Sequence, residues 1–192
     1  DKFGTAAWVI EGRRSDGRLE GQCIIPGGPE DQSAYRSELG GLYAIAAMVQ
    51  VICELHNIQE GSIEVACDGM NALAQVGEAD PIIRPNGAQY DIIAATQAKI
   101  KRTNIQWKMR HVMGHQDDTQ GCTVMDRWET LNCMMDERAK QHWQHHSTRT
   151  TRVQAAVDGE PWAVWTGSSK ICGRLAAQVI EHVRGTQCKV YW

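Results

Sequence analysis

Apolar positions recur with two different periods along this chain, and each change of period marks an element boundary. Residues 4 to 11, Gly-Thr-Ala-Ala-Trp-Val-Ile-Glu, make an apolar run of strand length. Ser15-Asp16-Gly17-Arg18 supplies turn chemistry, and Leu19 to Ile25 reads as a second strand, so the two predict an antiparallel hairpin. Pro26-Gly27-Gly28-Pro29 ends that pattern. From Ser33, an N-cap residue type, the spacing turns helical: Leu39, Leu42, Tyr43, Ile45, Ala46, Val49, Ile52 and Cys53 are expected on its apolar face, and the helix is expected to end near His56-Asn57.

Further on, Ile63 to Cys67 reads as a short buried strand and Gly69 to Val76 as a helical turn. Tyr90 to Lys101 follows as an amphipathic helix with Ile92, Ile93, Ala95 and Ile100 inward, then Ile105 to Val112 as a strand and a last helix carrying Asn132 to Asp136. This order predicts an α/β fold with a mixed central β-sheet flanked by helices. The polar stretch from Ser147 to Arg152 reads as a linker. It divides a main domain, residues 1–148, from a C-terminal extension, residues 149–192, with a Trp162–Trp165 strand and an Ile171–Val183 helix. The extension is too small to hold a core alone, so it should pack on the main domain or begin a neighbouring unit.

Composition narrows the picture only in part. The 192 residues suit one catalytic-sized domain plus an extension, and a net charge of -3 gives no overall basic field for nucleic acid. A polynucleotide partner must therefore rest on local features, such as Lys99, Lys101, Arg102, Lys108 and Arg110 around Trp107, whose plainer reading is a solvated helix end and strand face. Seven cysteines without CxxC pairs point to reduced thiols. With no charged-then-apolar leader, and no stretch nearing the roughly twenty apolar residues of a span, the expectation is a soluble, intracellular protein, cytoplasmic or nuclear, with no membrane partner.

The candidate chemistry lies in acids at element boundaries. Glu38 sits in Ser-Ala-Tyr-Arg-Ser-Glu at the start of the long helix, Asp68 closes the Ile-Glu-Val-Ala-Cys strand, Gly114-His115 follows the next strand, and Asn132 precedes Asp136 by one helical turn. Carboxylates on separate rigid elements are the hard oxygen donors that Mg²⁺ prefers. Each also has an ordinary reading: a surface acid on a helix for Glu38, an N-cap for Asp68, a turn residue for His115, and an acid paired with Arg138 or Lys140 for Asp136.

The ordered set of Glu38, Asp68, Gly114-His115 and Asn132-x3-Asp136 resembles the ribonuclease H domain over roughly residues 3 to 146, most nearly the domains carried by retroelement reverse transcriptases. The resemblance implies the ribonuclease H-like fold and hydrolysis of the RNA strand of RNA–DNA hybrids by a two-metal-ion mechanism. It implies two Mg²⁺ ions, which Mn²⁺ can replace, held by Glu38, Asp68 and Asp136, with His115 as a fourth catalytic residue for proton transfer or product release. Arg36 and Asn132 become the expected substrate contacts. The implied partners are the hybrid and other domains of a retroelement polyprotein.

Several features depart from that pattern. The family's first-strand Asp stands well ahead of the Gly-x-Ala-x-Trp segment, whereas Asp1 lies only three positions before Gly4 and belongs by spacing to the hairpin turn. The first strand and its carboxylate are therefore expected to be missing, which would leave the chain as given inactive or nearly so. Gly69 stands where Ser is frequent, Ala34-Tyr35 replaces a polar pair that faces the RNA 2′-hydroxyls in cellular enzymes, and a longer loop from Gln116 to Thr130 holds solvated Asp117, Asp118 and Asp126. Three alternatives stay open. One is a non-catalytic ribonuclease H-like binding or connection module. Another is a related nuclease or transposase. The third is a zinc site among His111, His115, Cys122, His142, His145 and His146.

Overall fold

The computed structural model describes residues 2–12, 17–77, 87–114, 125–148, 156–160, 163–167 and 169–190. Strands β1, Thr5–Glu11, and β2, Arg18–Ile24, pair antiparallel with Thr5 opposite Ile24 and Glu11 opposite Arg18. Gly12 N–H donates to the Gly17 carbonyl at 2.9 Å to close the hairpin. The Ser15-Asp16 part of its turn, and Asp1, lie outside the described residues.

Helix α1, Ala34–Leu55, begins where the sequence places it. The Ser33 side chain accepts from the Arg36 N–H at 3.1 Å, satisfying one of the donors that a helix start leaves free. Its end is also as expected, with His56 as the C-cap and Asn57 in the left-handed region at φ 50°. Gly40 permits the close approach of the hairpin, since a Cβ there would drive into the Ile25 side chain.

Strand β3, Ser62–Cys67, pairs in parallel with β4, Gln106–His111, across the crossover formed by α2, Met70–Gly77, and α3, Tyr90–Lys101. Helix α4, Arg127–Ser147, starts with a capping box in which Asp126 and Glu129 bond each other's backbone N–H groups. Two short strands, β5, Trp165–Thr166, and β6, Ser169–Lys170, precede α5, Leu175–Val190.

The chain is therefore mixed α/β. Both strand senses are present, yet the expected single central sheet is split among the described residues: β1 pairs only with β2, and β3 only with β4. Between the two ribbons lies an elongated slot of about 1350 Å³. Gly4 packs against Ser37 and Gly69 against Glu38, so β1 starts and β3 ends at the amino end of α1, and the two strands run in opposite senses. Alternation along β1 sends Thr5 towards α4, where its hydroxyl donates to the Ala139 carbonyl at 2.8 Å, and Ala6 towards Gly41 of α1. The two helices thus cover opposite faces of the hairpin.

The core gathers Leu39 and Leu42 of α1, Val65 of β3, Leu73 of α2 and Ile92 and Ile93 of α3. Burying each of the larger side chains contributes about 1.5–3 kcal/mol. By length and composition α1 could cross a bilayer, contrary to the expectation that no stretch could. Here its apolar face packs against α3 and β1 instead, and Arg36 lies buried on it.

The C-terminal extension packs on the main domain. Val157 joins the core cluster, the Tyr43 hydroxyl donates to the Asp158 carbonyl at 2.5 Å, and the Tyr90 hydroxyl donates to the Ile171 carbonyl at 3.0 Å. Its elements differ from the expectation. Of the Trp162–Trp165 strand, only Trp165 falls in β5, and Trp162 lies outside the described residues. The last helix starts at Leu175 rather than Ile171, because the Ile171 N–H bonds back to the Val164 carbonyl and Arg174 turns left-handed at φ 50°. Residues 149–152 of the linker are outside the described residues.

Candidate functional site

Three elements deliver the three acids to one end of the slot. Glu38 projects from the first turns of α1, Asp68 follows the last residue of β3, and Asp136 lies on α4, and all three line the slot. Each is half-buried. The Glu38 carboxyl is raised above its ordinary value, first by burial and then by the negative charges of Asp68 and Asp136. That mutual repulsion is what a cation would relieve.

Small residues make room for this cluster. A Cβ on Gly69 would collide with the Glu38 carboxylate, and one on Gly114 would come within 2.7 Å of Asp68 Oδ2. Gly69 is therefore matched to the position of Glu38. Gly114 also brings the end of the β4 segment beside Asp68. His115 itself, with Asp117, Asp118 and Cys122, lies outside the described residues. Asp126 is placed, and it caps α4 as described above.

Asn132 lines the slot one turn before Asp136, and its Nδ2 is buried without a hydrogen-bond partner among the described residues. A buried donor left unpaired costs about 1–3 kcal/mol, so it is a group that an arriving acceptor would satisfy. Arg36, by contrast, is not a substrate contact in this structure. Its side chain is fully buried and forks onto Asp91, with Nη1 to Oδ1 at 3.0 Å and Nη2 to Oδ2 at 2.9 Å. Nε donates to the Pro26 carbonyl at 2.7 Å, and Nη1 also meets the Gln89 side chain. Helical spacing carries the signal: Arg36 lies three residues before Leu39, on the apolar face of α1 rather than on the face of Glu38.

Lys170 completes this buried network, donating to Asp91 Oδ2 at 2.7 Å and pairing with Glu160. Burial alone would raise the Asp91 carboxyl, but the hydrogen bonds and charge of Arg36, then of Lys170, hold it down at about 2. No motif in the sequence announced this network.

The basic run around Trp107 separates in three dimensions. Trp107 turns inward and its Nε1 donates to the Thr103 hydroxyl at 2.9 Å, while Lys108 and Arg110 are exposed on the other face of β4. Arg110 pairs with Glu64 at 2.6 Å and lies 5.2 Å from the centre of the Trp128 ring; Lys99 covers the Tyr43 ring at the same distance. No disulfide links Cys23, Cys53, Cys67, Cys133 and Cys172 among the described residues, and burial pushes the Cys67 thiol up to about 12.

Among the described residues no three His, Cys, Asp or Glu side chains stand close enough to hold a metal ion as they are. His142 and His145 both meet His146 edge-on at the end of α4, with ring centres 4.6 and 5.2 Å apart. The acids at the slot end suit Mg²⁺ in kind, being oxygen donors from three rigid elements, and they make an open set rather than a closed cage.

The position of Glu38 has a consequence for stability. Its folded value lies above its unfolded one, so its contribution is present below the unfolded value near pH 4.3 and is lost as pH rises through the raised value. Glu38→Gln should flatten that loss and raise stability at neutral pH by about 0.5 kcal/mol, the scale of a like-charge contact. Urea midpoints at pH 4 and pH 8 would check this, and a pH profile unchanged by the substitution would refute the raised value, whose first cause is burial.

Comparison with protein-family models, with curated proteins and with solved structures found no match.

Proposed function

We propose that this chain is a ribonuclease H-type domain, related to those of retroelement reverse transcriptases, whose complete form hydrolyses the RNA strand of RNA–DNA hybrids. The observation that carries the reading is the convergence of Glu38, Asp68 and Asp136, from three separate elements, at one end of the slot, close enough to raise Glu38. The element order agrees with it: an antiparallel hairpin, a long helix bearing an acid, a parallel strand pair joined through helices, and a final helix bearing Asn132 and Asp136.

In this reading Glu38, Asp68 and Asp136 hold two Mg²⁺ ions, or Mn²⁺ in their place. When bound, the ions supply charge stabilisation at the scissile phosphate and ready a water for in-line attack. Asn132 offers its unpaired Nδ2 to an acceptor on the substrate, and His115 serves as the proton-transfer group. Exposed Lys108 and Arg110 flank the slot as backbone contacts for the hybrid. Other domains of a polyprotein are the proposed partners, in the cytoplasm or nucleus.

A second reading, a non-catalytic module of the same fold, is favoured by one observation. The acids form no closed metal group among the described residues. Cleavage separates the two. A labelled RNA–DNA hybrid would be incubated with Mg²⁺ or Mn²⁺ and either this chain or a version preceded by a strand bearing an Asp. Metal-dependent cutting of the RNA strand by the extended form, with little or none by the chain as given, is the expected result. No cutting by either form would move the assignment to the non-catalytic module.

A further inference from the structure

The members of the alternative zinc set separate in the fold and leave the imidazoles of α4 together. His111 lies on β4, where its Nε2 is 3.1 Å from the Asp68 carbonyl, and His115 and Cys122 fall outside the described residues. His142 and His146 instead stand one turn apart near the end of α4, both half-buried, with ring centres 4.6 Å apart. Neither is among the described residues that line the slot. His142 follows Asp136 by six residues, and at 100° per residue the two leave different sides of the helix.

The separation of the two rings suits one shared ion. A metal–nitrogen bond of about 2.0–2.1 Å puts an ion roughly 3.2 Å from the centre of an imidazole, so two rings that share it in tetrahedral or cis-octahedral geometry have centres about 4.5–5.2 Å apart. The 4.6 Å between His142 and His146 falls in that range. Their i, i+4 spacing is also the one by which a single helix face offers two histidines to one metal. His145 meets His146 at 5.2 Å, but it is exposed and turned away by the helical step between neighbours. The helix beneath the pair is fixed at several points. Asp126 and Glu129 cap its start, the Ala139 carbonyl accepts from Thr5, and Arg138, one turn before His142, pairs with Glu20 of β2 at 2.7 Å. The rings therefore project from a rigid element, which lowers the ordering cost of taking up an ion.

We propose that His142 and His146 form a chelating site for a divalent transition-metal ion of the class of Zn²⁺, Ni²⁺ or Cu²⁺. Imidazole nitrogen suits these ions, whereas Mg²⁺ takes oxygen donors. Two protein donors leave the other positions of the ion to water, in keeping with the absence of any group of three suitable side chains among the described residues. The ion links two successive turns, and so it holds the carboxyl end of α4 against fraying. The site is separate from Glu38, Asp68 and Asp136, and it stands whether or not any form of the chain cuts RNA.

The test titrates the full chain with Ni²⁺ by calorimetry and follows Tm in parallel. One Ni²⁺ per chain should bind to the pair, and at a hundredfold excess over its dissociation constant Tm should rise by about 5 °C or more. His142→Ala and His146→Ala should each weaken this binding at least tenfold and abolish the rise in Tm, while His145→Ala should change the affinity less than threefold. Arg138→His combined with His146→Ala rebuilds an i, i+4 pair with His142 and should restore binding, which separates loss of a ligand from loss of the fold. A tenfold excess of Mg²⁺ should leave the Ni²⁺ isotherm unchanged. The proposal would be overturned by an unsubstituted chain that takes up no Ni²⁺, by undiminished binding in either single alanine variant at the pair, by a double variant that does not recover, or by displacement with Mg²⁺.

Discussion

Asp91→Ala is expected to cost on the order of 3–5 kcal/mol, the scale of removing one partner from a buried ion pair. Two cations depend on this carboxylate: Arg36 is bidentate to it and Lys170 donates to it at 2.7 Å, all three within the interior. The truncation leaves two buried positive charges, Lys170 with Glu160 as its acid and Arg36 with only the neutral Pro26 carbonyl and Gln89 side chain as hydrogen-bond partners. For a domain whose whole stability is about 5–15 kcal/mol, that is a large fraction, and a urea melt at pH 7 would measure it directly. A change below about 1 kcal/mol would mean that the network is not closed as described.

Acid should remove the same contribution in the wild type, and the direction follows from the depressed value. Asp91 is held at about 2 in the folded chain, below its unfolded value near 3.9, so its stabilisation is fully present above about pH 4. It is lost as pH falls towards 2. Asp91→Asn should flatten this limb of the stability profile, even though it keeps the shape of the side chain.

Asp68→Asn, in a form that carries the added strand and its acid, should lower metal-dependent cleavage of the hybrid by about two to three orders of magnitude, consistent with losing several kcal/mol of charge stabilisation. Asp136→Asn should act in the same direction. Neither change should unfold the protein, because both acids are half-buried at the slot rather than in the core. A second measurement does not need turnover: Mg²⁺ at ten times its dissociation constant should stabilise the unsubstituted chain by about 1.4 kcal/mol, and each Asn variant should lose that response. Full cleavage by Asp68→Asn would remove it from the site.

What could be read from the sequence was whatever local periodicity controls. The hairpin, the Ser33 cap, the end of α1 at His56 and the bounds of α3 follow from runs of apolar spacing broken by turn residues, and they stand where expected. The meeting of Glu38 with Asp68 and Asp136 was visible only through the order of motifs, since no spacing rule brings α1, β3 and α4 together. Arg36 was misplaced because its neighbour Glu38 drew both into one motif, although 100° per residue turns them to different faces of α1. The Asp91–Lys170 contact spans 79 positions and so leaves no local trace. The single expected sheet is not formed among the described residues for a related reason: strand pairing is non-local, and no described strand bridges β1 and β3.

The Lys170 contact also has a consequence for how the molecule is made. Arg36 and Asp91 leave the ribosome early, yet the ammonium group that completes their burial is synthesised 79 residues after Asp91. At about 5–20 residues per second, this interval is roughly 4–16 s. Throughout it, α1 and α3 can associate around a charge-balanced Arg36–Asp91 pair whose Oδ2 lacks the second donor that Lys170 supplies. A pause or nick before residue 170 should therefore leave that buried carboxylate one donor short, and with it a fold less stable than the finished one.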